Sequence, residues 1–141
     1  MTNQEKLMTV HVDEMDSMIN VMNAMKNEDY DLAKEYHQKS VELSKLIAPL
    51  LTDKGAHHFR EKTDEIIAAQ QPKCTMDFIK TYIQCYAYDK AIACFEHRKT
   101  AGIEALDSLR SQDFEKEVDI MYHSDPSTLR AGSVVIIADE F

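Results

Sequence analysis

Carboxylate-bridged di-iron bundles hold their metals with Glu-x-x-His pairs, because residues three apart on a helix project to one side. None of the six histidines has a glutamate three positions before it. His57 and Glu61 have a His-x-x-x-Glu spacing, but no His-x-x-x-His accompanies it, so the pair reads as a solvated histidine near a helix start. His57, His58 and His97 could share a zinc ion only if separate helices brought them together, and spacing does not establish that. Cys94 lies three residues before His97 and beside Glu96, a nucleophile and base spacing that helices also produce without chemistry. Tyr82, Tyr86 and Asp89 follow at i, i+4 and i+7 and are read as a hydrogen-bonded network on one helix. No catalytic residue, metal site or cofactor is expected, and the chain is read as no enzyme.

The strongest exposed feature is acidic. Glu104, Asp107, Asp113, Glu115, Glu117 and Asp119 form a run that is either a solvated helix face or an array of carboxylates imitating duplex phosphates. The chain carries a formal charge of −9, concentrated in its two ends. No basic stripe is present to displace counterions from phosphate, which argues against direct binding of nucleic acid.

These residues must be carried by helices. With 141 residues the chain suits one ordinary domain, and three glycines and three prolines leave little material for turns. The expected fold class is all-α, a compact bundle of four to five helices with a long central helix and an extended C-terminal tail. The helical domain is placed at residues 1–132 and the tail at 133–141. The opening residues lack a basic region followed by an apolar run, and no window is apolar enough to span a membrane. A cytoplasmic protein with no membrane contact is expected. The odd number of cysteines fits a reducing compartment, and Cys85 and Cys94 would point to opposite faces of one helix.

Residues 78–95 are the most apolar stretch and are read as one long buried helix starting near the N-cap Thr75. Met8, Val12, Met15, Ile19 and Met22 form a seam on a first helix, which Met18 and Met25 widen. After the polar break Lys26-Asn27-Glu28-Asp29, a second helix buries Ala33, Tyr36, Leu43 and Ile47 and ends or kinks at Pro49. A third, capped by Thr52 or Asp53, buries Ala56, Phe59, Thr63, Ile66 and Ile67. Gly102 marks an end or a bend, and Ser111 a further break, before Asp125-Pro126 closes the helical part.

The segment from Met18 to Leu43 resembles a single tetratricopeptide-type unit in its turn and in the Tyr30-Asp31-Leu32-Ala33 entry to its second helix. Such units stack by recurring. Tyr88-Asp89-Lys90-Ala91 echoes the entry, but no turn signal precedes it, so the segment is read as a generic helical hairpin.

Function is therefore expected from surfaces. The leading expectation is a protein-protein interaction module and homo-oligomer whose contacts are Met15, Met18, Met22 and Met25 together with Val134, Val135, Ile136, Ile137 and Phe141 of the tail. The competing expectation is an acidic inhibitor, of the kind that phages encode, that blocks a nucleic-acid-processing protein. A third is a bundle that binds a metal or a small ligand.

Overall fold

A computed structural model describes residues 1–122 of the chain, with side chains through residue 111. Its helices are α1 (Asn3–Lys26), α2 (Tyr30–Ser44), the single turn α3 (Ile47–Leu50), α4 (Lys54–Gln70), α5 (Met76–Gln84) and α6 (Tyr88–Tyr122), with a 3-10 turn at Pro72–Cys74. No strand occurs among the described residues, and the all-α class expected from composition holds. None of these helices is long and apolar enough to cross a membrane. The tail residues 133–141 lie outside the described part.

The chain forms two units, Met1–Ala105 and Leu106–Phe141. In the second, α6 continues as helix past Ser111 to Tyr122, so the break expected at Ser111 is absent. The packing below belongs to the first unit.

Local signals explain most of the helix ends. Thr2 and Glu5 exchange hydrogen bonds in a capping box at the start of α1. Asp29 accepts from Leu32 N–H at 3.2 Å to open α2, and Asp53 accepts from Ala56 N–H at 3.0 Å to open α4. Helix α2 stops at Ser44, before Pro49, which sits within α3. Thr75 is at the N-cap of α5 as expected, although its side chain makes no capping bond there.

The helix at the centre is α1, not the segment 78–95. It packs along α2 and α4. It also meets α6 in antiparallel fashion, with Lys26 bound to Asp89 at 2.6 Å, Asp16 to Lys99 at 2.8 Å, and His11 Nε2 to the Arg98 carbonyl at 2.7 Å. Encirclement explains why its buried residues, which include Leu7, Val10, Met15, Val21, Met22 and Ala24, do not follow one seam. Met8, Val12 and Ile19 of the expected seam are only half-buried. On α6 the residues Ala91, Ala101 and Ala105 are fully buried, and their small side chains let the helix approach closely.

The expected long helix is in fact two. Helix α5 ends at Gln84, Cys85 and Tyr86 are exposed, and α6 begins at Tyr88. Tyr86 has φ 59°, a left-handed conformation that costs a residue with a Cβ about 1–2 kcal/mol. Its N–H donates to the Ile83 carbonyl at 3.1 Å, and Ala87 N–H donates to the Tyr82 carbonyl at 2.8 Å. That is the Schellman closure of a helix. The α1–α2 turn is built the same way: Glu28 has φ 58°, its N–H donates to Met25 at 3.1 Å, and Asp29 N–H donates to Ala24 at 2.9 Å. Two hairpins with one turn geometry therefore occur in this unit, each leading through Tyr-Asp-x-Ala to a buried alanine, Ala33 or Ala91. A turn does precede Tyr88, contrary to expectation.

Candidate functional site

The two turns meet at one end of the first unit. The 2.6 Å contact between Lys26 Nζ and Asp89 Oδ1 ties the last turn of α1 to the first turn of α6. Both groups are largely exposed, so the bond orients the ends more than it stabilises them, contributing at most about 1 kcal/mol. Around it an open pocket of about 510 Å³ is lined by Met25, Glu28 and Tyr30 from the first hairpin and by Tyr86, Tyr88 and Asp89 from the second.

Three tyrosines dominate this surface. Tyr30 is 55% exposed and Tyr86 79%, and the ring of Tyr86 stands edge-on to that of Tyr88 with centroids 6.3 Å apart. Each presents a broad apolar face with a hydroxyl at its rim, the type of side chain that anchors protein contacts at small entropic cost. The backbone beneath is held by helix-closing hydrogen bonds, so the rings project from a fixed platform.

The methionines expected as a contact surface lie elsewhere. Met15 and Met22 are buried in the core, and Met18 and Met25 pack partly buried against it. Helix α1 is flanked by α2, α4 and α6, and of the four methionines only Met25 reaches the tyrosine surface. Val134, Val135, Ile136, Ile137 and Phe141 lie outside the described residues. Glu104 and Asp107 are exposed, with Glu104 accepting from Gln70 Nε2 at 3.3 Å. Asp113, Glu115, Glu117 and Asp119 fall on the helical backbone of α6, beyond the described side chains.

His57 meets Glu61 at 2.7 Å with both side chains exposed, a surface pair one turn apart. Among the described residues no group of three His, Cys, Asp or Glu is arranged to hold a metal ion. Cys94 is no activated nucleophile. Burial, with the neighbouring Cys74, pushes its thiol up to about 12, and its Sγ approaches the Lys73 carbonyl at 3.7 Å. Cys74 is buried as well, whereas Cys85, at the end of α5, is exposed. The expected Tyr82–Tyr86–Asp89 network does not form, because the turn at Tyr86 breaks the helical spacing and Asp89 pairs with Lys26.

Sequence reasoning placed the first turn at Lys26–Asp29 but missed the second, and with it the pairing, because helix-closing left-handed positions usually carry glycine or asparagine. Here they carry Glu28 and Tyr86. The one available signal was the repeated Tyr-Asp-x-Ala. Comparison with family models, with curated proteins and with solved structures gives no match.

Proposed function

We propose that this chain is a non-enzymatic helical interaction module that docks a protein partner on the surface formed by Tyr30, Tyr86 and Tyr88. The observation that carries the reading is Tyr86. It occupies a left-handed position that glycine would fill with less strain, and at 79% exposure its ring returns little to the fold beyond an edge contact with Tyr88. Strain of this kind without a packing reward is characteristic of contact sites.

The chemistry of the surface favours a cationic partner side chain. Tyrosine faces attract guanidinium and ammonium groups, Glu28 and Asp89 line the same pocket, and the whole chain is strongly acidic. An arginine or lysine of the partner lying across Tyr86 would use both the rings and the carboxylates.

The test is a photo-crosslinking analogue of phenylalanine placed at position 86 in the cells that make the protein. A discrete adduct is expected from position 86 and not from Glu61, an exposed position on α4. An adduct to a second copy of the chain would make the partner a homo-oligomer. Identical patterns from both positions, or none from either, would remove the support for this surface.

A further inference from the structure

A second cavity, of about 270 Å³, is lined mainly by α1, α4 and α6, with Ser40 of α2, Ile47 of α3 and Met76 of α5 completing it, and no part of the tyrosine surface contributes to it. Its apolar wall includes Met15, Phe59 and Phe95, all buried. Charged groups complete it. Glu14 and Arg98 are half-buried inside, while Arg60 and Asp64, one turn apart on α4, are exposed and form the mouth.

Arg98 lies close enough to feel Asp64 and Arg60, and Glu14 to feel Arg60 and Arg98, but no ion pair joins any of them. Ion pairs of the described side chains join Lys26 to Asp89, Lys45 to Glu42, His57 to Glu61, Lys62 to Glu65 and Lys99 to Asp16. Arg98 spends one guanidinium nitrogen, Nη1, on the Cys74 carbonyl at 3.2 Å, while its Nε is buried with no hydrogen-bond partner. A buried donor without a partner is uncommon in folded proteins and points to a missing acceptor. Next to it His11 Nε2 donates to the Arg98 carbonyl, and burial holds the imidazole below its ordinary pKa, so it adds no charge at neutral pH. Burial also raises Glu14, against the pull of Arg60 and Arg98.

The cavity thus presents guanidinium groups and carboxyl groups together, beside aromatic and thioether walls. An inorganic anion would leave Glu14 and Asp64 opposing it, and an amine alone would leave Arg60 and Arg98 opposing it. A molecule with both charges satisfies both sets. The volume lies just below the roughly 300–1,000 Å³ of pockets for drug-sized ligands. We propose that this cavity binds a free α-amino acid with an apolar side chain, its carboxylate held by Arg98 and Arg60, its ammonium by Glu14 and Asp64, and its side chain against Phe59 and Phe95.

The probes are the standard L-amino acids, each added at millimolar concentration to the full chain and followed by thermal unfolding and titration calorimetry. At least one with an apolar side chain is expected to bind and raise the unfolding midpoint. Its deaminated acid and its decarboxylated amine should each bind at least about tenfold more weakly, the usual scale for a lost charged hydrogen bond. Arg60→Gln and Asp64→Asn alter exposed side chains and should leave the fold intact while weakening binding by about tenfold. Glu14→Gln should do the same from the interior. No binding by any amino acid would overturn the proposal, as would analogues that bind as tightly as the parent or binding that survives in both mouth variants.

Discussion

Phe95→Ala should lower the unfolding free energy by about 3–5 kcal/mol, the largest loss expected from a single side chain here. Phe95 is 1% exposed and belongs to the core cluster that includes Met22, Ile67, Ile79 and Ala91. Removing its ring loses the transfer free energy of the buried atoms and leaves a void that the surrounding helices fill only in part. Against a total stability of about 5–15 kcal/mol for an ordinary domain, such a loss brings the protein close to unfolding. Phe78→Ala is the matched control. That ring is 44% exposed on α5, and its truncation should cost under about 1 kcal/mol. Chemical denaturation of the two variants decides the matter. Equal losses would mean that Phe78 is packed as deeply as Phe95, contrary to its exposure on α5.

Gly102→Ala should destabilise the protein by about 1–3 kcal/mol, although alanine normally improves a helix. Gly102 lies within α6, and a Cβ added there would fall 2.5 Å from Cδ2 and 3.0 Å from Nε2 of His11. The imidazole cannot give way easily. It donates to the Arg98 carbonyl at 2.7 Å and stands edge-on to Phe59 with centroids 6.4 Å apart. Moving it would leave the part-buried imidazole N–H without its acceptor, which costs about 1–3 kcal/mol. The sign should reverse in a His11→Ala background, where the ring that the added methyl would strike is gone and alanine's helix preference returns up to about 1 kcal/mol. A double-mutant cycle by denaturation measures this, and additive effects would show that the ring and the glycine are not coupled.

Helical periodicity was most legible where a helix buries a single face. On α4 the spacing picked out Ala56, Phe59, Thr63, Ile66 and Ile67, of which Ile66 is half-buried and the other four are buried. It was less informative on α1, where neighbours on several sides bury Leu7, Val10 and Val21 outside the expected seam. It failed at Cys85–Ala87, because the turn is made by backbone hydrogen bonds from residues that look apolar and helical. Gly102 carried an ambiguous signal, a helix end or a bend, and the end is excluded because α6 continues through it. Its lack of a side chain accommodates His11 from another helix and does not end α6. Both candidate sites were illegible for a related reason. The tyrosine surface and the charged cavity each join residues of different helices, and no spacing along the chain encodes that meeting.

On our proposal Tyr86 is kept for what touches it and not for the fold. Replacing it with glycine tests this most directly, by measuring stability and partner binding on one variant. Glycine relieves the left-handed strain at the end of α5, so Tyr86→Gly should be as stable as the parent or more stable by up to about 1 kcal/mol. At the same time, affinity for the partner crosslinked through position 86 should fall by about tenfold or more, the loss of a buried aromatic anchor. A variant that is clearly destabilised, or one that keeps its full affinity, would contradict the account.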